Sequence, residues 1–380
     1  MDPRLDADQR FFQSTTRRYL ESRMPTAEVR RLATTPDGFE RPWWAAGAEL
    51  GWTSFLAGDE AGGGSLSGNG TADLAIVAEE FGRSVAPGPL IGTNVVLAAI
   101  CSPGAGDAHA DAARQLLSGA ATGAWAVDDE GHAWAPEDPQ LAARAGGDGF
   151  VLAGQKVRVE YGAQAGWFLV SAQADGRPTQ FLVPASAPGV EVEPLETLDL
   201  VRRYADVAFH DVRVPATAAV GDVGGAADAL ARQVQIVAVL QCAEMAGAAD
   251  RTLAMAVAWA EDRYAFGRPL NSYQALKHRF ADMKVAVEAS HATTTAAAHA
   301  VGQGSGDAAR LASVAKAYVG RAAVEVGQEC VQMHGGIGLT WDHDLHLYLR
   351  RLTTDRVVGG APRDHVRRLG CWAIEREKHD

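Results

Sequence analysis

Three textures of hydrophobic and polar positions divide the chain. From Ala7 to about Ser118 the pattern is helical, with Phe11, Phe12 and Tyr19 at helical spacing. Residues 73–81 predict a further helix that stops at Gly82, ahead of Pro87 and Pro89. Residues 61–70 (AGGGSLSGNG) read as a flexible Gly/Ser loop, too short to link domains. From about Gly119 to Val220 short apolar runs alternate with turn residues. Residues 149–154 (GFVLAG) follow the turn signal Gly146-Gly147-Asp148, and residues 167–172, 180–184, 190–192 and 204–214 continue the pattern. These predict strands of an antiparallel β domain. No helical segment separates them, which argues against a parallel Rossmann unit.

Beyond Gly224 the period lengthens again. Long helices are predicted over residues 226–264, 272–301, 307–333 and 342–357, joined by short Gly/Pro breaks. Four such segments suggest an antiparallel four-helix bundle. The fold class expected is α+β, with an N-terminal helical domain (1–118), a central antiparallel, barrel-like β domain (119–220) and a C-terminal helical bundle (221–380).

Composition narrows the function. The 380 residues are 47% hydrophobic and 22% charged, enough for two or three domains with full cores. No apolar run is long enough for a membrane span. Thirty-five basic and 47 acidic residues leave a net charge of -12. That disfavours nucleic acid and anionic lipid as partners, and any phosphate site must be built locally. Cys101, Cys242, Cys330 and Cys371 are far apart, which fits no zinc knuckle or disulfide framework and suggests a reducing cytoplasm. Asp2, Asp6 and Asp8 precede any apolar stretch, unlike the order of a signal peptide.

Two stretches carry candidate chemistry. In residues 261–283 (EDRYAFGRPLNSYQALKHRFADM) a helix ends near Tyr264, Gly267 and Pro269 turn the chain, and a helix restarts near Ser272. Arg263 in the last turn either complements the helix dipole or grips a diphosphate through paired hydrogen bonds. In residues 332–351 (QMHGGIGLTWDHDLHLYLRR), Gly335, Gly336 and Gly338 allow close backbone approach to a ligand, or form a plain interhelical turn. His343 and His346, with Asp342 and Asp344 nearby, have a metal-like spacing but no further ligand cluster. A polar helix start accounts for them, and no metal is expected.

Both stretches resemble the C-terminal signatures of flavin-dependent acyl-CoA dehydrogenases. Residues 79–89 (EEFGRSVAPGP) and 204–215 (YADVAFHDVRVP) are also similar to segments of that family. The resemblance covers essentially the whole chain and its α–β–α order. It implies FAD as cofactor and a tetramer of dimers, with each flavin lying across a dimer interface. Arg263, Phe266, Gln274, Gln332, Gly335 and Gly336 would then hold the ADP half of a neighbouring subunit's flavin.

The departures from the family pattern are as informative. The stretch that bonds the flavin ring corresponds here to residues 125–132 (WAVDDEGH), which lack Thr and Ser and crowd Asp128, Asp129 and Glu130 together. The family's G-x-K-x-W-I-T/S element reads GQKVRVE over residues 154–160. Arg158 stands at the Trp position and Glu160 at the hydroxyl position. The catalytic carboxylate that removes the α-proton is absent from both of its usual places, which hold Gly359 and Val237. Ala238 stands where an arginine is common. Glu244, two turns beyond Val237, and Glu160 are weak replacement candidates; Glu244 reads better as a polar helix residue. Asp355, one turn before Gly359, reads as exposed.

What this chain would need for its own site is gone, and what it would lend remains. The resemblance therefore implies a subunit that completes the FAD site of a catalytic partner in a heterotetramer. Such α2β2 assemblies occur among bacterial members acting on steroid side chains, and the substrate would be an acyl-CoA thioester. Two rivals stay open: a self-sufficient homo-oligomeric flavoenzyme with a relocated base or altered chemistry on a carrier-bound acyl group, and a flavin-free scaffold subunit.

Overall fold

The computed structural model describes residues 5–105, 107–131 and 134–377. Asp2 and His132 lie outside them. Six helices come first: α1 (Ala7–Arg23), α2 (Thr26–Ala33), α3 (Arg41–Glu49), α4 (Gly70–Ser84), α5 (Leu90–Ile100) and α6 (Ala110–Leu117). Eight strands follow: β1 (Gly123–Ala126), β2 (Ala142–Gly146), β3 (Gly149–Glu160), β4 (Trp167–Ala174), β5 (Arg177–Pro184), β6 (Val190–Leu195), β7 (Tyr204–Pro215) and β8 (Ala219–Val220). Then come α7 (Ala227–Asp262), a small hairpin of β9 (Tyr264–Ala265) and β10 (Arg268–Pro269), α8 (Gln274–Gly302), α9 (Ala308–His334), α10 (Leu345–Val357) and α11 (Pro362–Glu377). Among the described residues no helix is long and apolar enough to cross a membrane. All four cysteines are unpaired.

The sheet runs β6-β7-β3-β2-β4-β5-β8, and β1 joins β4 beside β2. Most pairings are antiparallel, as the alternating pattern predicts. The sheet is nevertheless mixed, because β1 and β2 both run parallel to β4. Each is short, and the chain between them leaves the sheet as the loop around Trp134. The periodicity missed both strands, since GAWA and AARAG carry too few large apolar residues to alternate.

The helices of the two chain ends share one core. Trp44, Trp52 and Phe81 from the first third pack with Leu240, Met245, Val319 and Leu352 from the last. The strands have a separate core around Phe168, Phe181 and Phe209. The C-terminal body has a fifth helix, α11, beyond the four predicted.

Gly82 does not end its helix. α4 continues to Ser84 and stops at Val85, whose φ of 48° breaks the helical path. The glycine is there for contact: a Cβ on Gly82 would lie 1.8 Å from the Glu244 carbonyl oxygen of α7, and one on Gly247 would lie 2.0 Å from the Glu79 carbonyl oxygen of α4. Each helix thus reserves a glycine for the other's backbone. Gly82→Ala must push α4 and α7 apart, and should lower the unfolding free energy by about 2–3 kcal/mol in urea titrations, the cost of an overpacked core. The 61–70 loop is also less free than its composition suggests. The buried Asp73 carboxylate accepts from the backbone N–H groups of Leu66 and Ser67, at 2.7 and 3.0 Å.

Candidate functional site

Val237 on α7, Gly359 after α10, Asp128 after β1, and Arg158 and Glu160 on β3 converge on one cavity between the sheet and the helices. The positions that sequence comparison singled out as a ring site and a base site are therefore neighbours in space. The cavity is small, about 50 Å³, whereas small-molecule sites usually hold about 300–1,000 Å³. Its lining explains why.

Arg158 sits where the β3–β7 register slips between Lys156 and Val159, at φ 54°. Its backbone N–H donates to Asp206 Oδ1 at 2.9 Å, and its guanidinium lies 3.4 Å from Asp128. The bulge re-aims the side chain, as bulges do. Lys156, fully buried, donates to Asp129 at 2.6 Å and to the Val127 carbonyl at 3.0 Å. Asp128 and Asp129 are therefore each paired with a cation and do not leave a bare negative field. Burial pushes the Asp128 carboxyl above its usual range.

Behind the cavity lies an ionic cluster that no motif announced. Arg202 donates to both oxygens of Glu244, at 2.6 and 2.5 Å, and to Asp355 at 2.5 Å, and its Nε stands 3.4 Å from Glu160. Arg351 pairs with Asp199 and Glu244. Lys316 donates to Gln241 and to the carbonyls of Asp355 and Val358, the last at 2.9 Å. Asp199, Glu244, Asp355, Lys316 and both arginines are buried. Two expectations fail here. Asp355 is not exposed, and Glu244 is no ordinary polar helix residue, because two arginines consume its carboxylate. Burial pushes the Asp355 carboxyl up to about 8 and the Lys316 ammonium down to about 8. Burial also opposes ionisation of Asp199, yet Arg351 and Arg202 hold it below its usual range. Glu160 alone of the two replacement bases lines the cavity, and burial raises its carboxyl.

The other predicted residues lie on the surface, at the far ends of α7 and α9. Arg263 caps α7 and its guanidinium stands 6.0 Å from the Trp259 ring centroid. Trp259 stacks on His334 with centroids 5.4 Å apart, and His334 meets His343 at 4.6 Å. This column joins the arginine to the turn at Gly335 and Gly336. Trp259 is one helical turn before Arg263, a spacing legible in the sequence; its stacking on His334 is not. His343 and His346 face the rings of His334 and Trp341.

Phe266 and Gly267 form the two-residue tip of the β9–β10 hairpin, with φ of 52° and 81°. Positive φ at both positions gives the turn that matches strand twist, but a phenylalanine there is strained. The residue is 99% exposed. Gln274, at the start of α8, and Gln332, in the last turn of α9, are exposed as well. So are Gly335 and Gly336, and a Cβ on either would meet nothing within 4 Å. The close approach these glycines permit is not to any group of this chain. Exposed Tyr264, Leu339 and Trp341 extend the apolar surface nearby in sequence.

Comparison with known proteins agrees with this architecture. The family model described as acyl-CoA dehydrogenase, N-terminal domain, matches residues 6–123, and that described as acyl-CoA dehydrogenase, C-terminal domain, matches residues 225–369. The acyl-CoA dehydrogenase IpdE2 of Mycobacterium tuberculosis is 31% identical over 90% of this chain and 90% of its own length. A structure of a variant of the Tcur3481-Tcur3483 steroid ACAD superposes with a TM-score of 0.87, at 27% identity, covering 97% of this chain and 98% of that one. A glutaryl-CoA dehydrogenase from Mycobacterium smegmatis in complex with FADH2 shares the fold, with a TM-score of 0.86 at 20% identity over 97% of this chain and 95% of that one. With the motifs, the α–β–α order and these matches in agreement, the chain belongs to the acyl-CoA dehydrogenase family.

Proposed function

We propose that this chain is an FAD-associated but catalytically incomplete subunit, which joins a catalytic partner in the α,β-dehydrogenation of an acyl-CoA thioester. The observation that carries the reading is Phe266. A phenylalanine held in a left-handed turn and 99% exposed buries almost none of its surface within this chain. Strain of this kind persists where function uses it.

The residues present fit one half of a flavin and not the other. Arg263 offers a fork of donors for diphosphate oxygens, Gln274 and Gln332 offer amides, Phe266 a ring face, and Gly335 and Gly336 an open backbone. FAD, when bound, would supply hydride acceptance from the β-carbon. The 50 Å³ cavity bordered by Arg158 and Asp128 does not fit an isoalloxazine ring. Nor does Gly359 or Val237 offer a base. The partner would supply ring contacts and base, and this chain would anchor the far end of the cofactor across the interface. A steroid side-chain thioester is the first substrate class to try, given the solved steroid relative.

A self-sufficient homo-oligomer draws support from one observation: Glu160 faces the cavity with its carboxyl raised by burial, as a general base requires. One preparation separates the readings. The chain is purified alone and with a co-expressed candidate partner, and flavin absorbance, mass and acyl-CoA oxidation are recorded. Flavin and turnover in the mixed complex alone are expected. A yellow homo-oligomer that oxidises acyl-CoA by itself would sink the proposal, and colourless samples in both cases would favour the scaffold. In the active complex Arg263→Ala should cut flavin retention about tenfold or more, since hydrogen bonds to a charged group are worth about 1.5–3 kcal/mol. Unchanged flavin content after gel filtration would remove Arg263 from the diphosphate site.

A further inference from the structure

We infer that Trp134 is a plug that shuts this chain's own cavity against a flavin ring. Trp134 borders both the 50 Å³ cavity and an adjoining cavity of about 170 Å³. Its indole lies so close to the turn after α10 that a Cβ on Gly360 would come within 2.8 Å of it. Gly360 therefore makes room for this ring, beside the position where a family base is missing.

The ring is held from behind by α11. His365 meets it with centroids 5.1 Å apart, and the Arg368 guanidinium stands 4.3 Å over it. Arg368 also donates to both oxygens of Glu137, at 2.6 and 2.7 Å, so one arginine clamps the ring and the chain three residues further on. The segment's far end is tied to the sheet, where the backbone N–H of Gln140 donates to Asp129 at 3.0 Å and Gln173 donates to Asp138 at 3.1 Å. An aromatic ring with a cation stacked on it and the following residues bonded to α11 and the sheet is held in place. With the indole gone, the two cavities that it borders would merge into one larger space. A flavin ring is then excluded by a built contact and not merely by the loss of ring-binding residues.

The test uses lumiflavin, which has the ring and no diphosphate, so the Arg263 region contributes nothing. The folded chain alone is titrated and ring fluorescence followed, with circular dichroism confirming the fold. Wild type should bind no lumiflavin. Trp134→Gly should gain at least about tenfold in association constant, and Arg368→Ala, which loosens the clamp while leaving the indole, a smaller gain. If Trp134→Gly fails to fold, the Arg368→Ala gain decides. Wild type binding as tightly as the variants, or no gain in any folded variant, would overturn the plug. A second arm rests on the subunit reading: in the mixed complex, Trp134→Gly should raise flavin per protein above the wild-type ratio. A complex that holds no flavin in either form would sink the subunit reading and leave the lumiflavin result standing.

Discussion

Gly359→Glu places a carboxylate where the family resemblance expects the base, yet it should yield no acyl-CoA oxidation by the chain alone and a less stable protein. Gly359 has φ 69°, a left-handed conformation that costs other residues about 1–3 kcal/mol. A Cβ there would stand 2.8 Å from Gln241 Oε1 and 3.0 Å from Val237 Cγ1. Gln241 cannot simply swing aside, because Lys316 donates to it while also holding the carbonyls of Asp355 and Val358. The clash falls on a pinned neighbour, and overpacking of this kind adds about 1–3 kcal/mol. A carboxylate forced into the 50 Å³ cavity would also meet Glu160, and the arginine lining that cavity, Arg158, already faces Asp128. The expected result is a lowered thermal midpoint and dye reduction at background in the presence of acyl-CoA. Substrate-dependent dye reduction by the purified variant alone would show that the missing base was the sole defect, and would contradict a subunit that also lacks a ring site.

Arg202→Met should be among the most destabilising single changes in the protein, at about 3–5 kcal/mol. Methionine matches much of the side-chain volume, so the loss would be electrostatic. Arg202 faces Glu160, Glu244 and Asp355 at once, and Arg351 and Lys316 would remain near them among the described residues. Arg202→Lys should rescue little, because an ammonium cannot serve Glu244 and Asp355 from one planar fork. The pH dependence has a defined sign. Asp355 is already pushed up by burial to about 8, and Glu160 is raised as well. Removing the arginine raises such folded-state carboxyls further, so the folded variant takes up protons that the unfolded chain does not bind. Its deficit relative to wild type should be full above the variant's further-raised carboxyl values and shrink as pH falls through them towards the wild-type folded-state values, about 8 for Asp355, below which both proteins carry the proton. Urea titrations at pH 9.5 and pH 6 check this. A deficit under about 1 kcal/mol at pH 9.5, or one that grows on acidification, would contradict the cluster's assigned role.

The two halves of the candidate site were not equally legible. Arg263, Phe266, Gln274, Gln332, Gly335 and Gly336 belong to continuous local motifs at a hairpin and a helix end, so neighbouring residues in sequence announced them. That Phe266 is strained and bare could not be read, because exposure depends on what the rest of the chain leaves uncovered. The second half was legible only as a set of departures. Asp128, Arg158, Glu160, Val237 and Gly359 could be named, but not their pairings. Arg158 meets Asp128 because of a bulge, and Glu244 meets Arg202 across 42 positions. Trp134 carried no signal at all, since its partners Gly360, His365 and Arg368 lie at the other end of the chain.

The periodicity of apolar positions was sufficient for the helical–β–helical order, because each period reflects a face that must be buried whatever it packs against. It also located α7, α8, α9 and α10 to within a few residues. Gly82 shows the limit. As sequence it reads as a stop, and as structure it is where α4 touches the backbone of α7. Local pattern records a residue's intrinsic preference, whereas the helix crossing that overrides it exists only after the chain ends meet. The same separation holds for function. The motifs by themselves left Arg263 and the glycines open between ligand contact and plain cap and turn roles, and the family resemblance they carry implied a lent half of a flavin site. What tertiary structure alone decided is that Arg158, Trp134 and a buried ionic cluster gather around one small cavity through contacts distant in sequence, which is the ground for the proposed loss of the chain's own ring site.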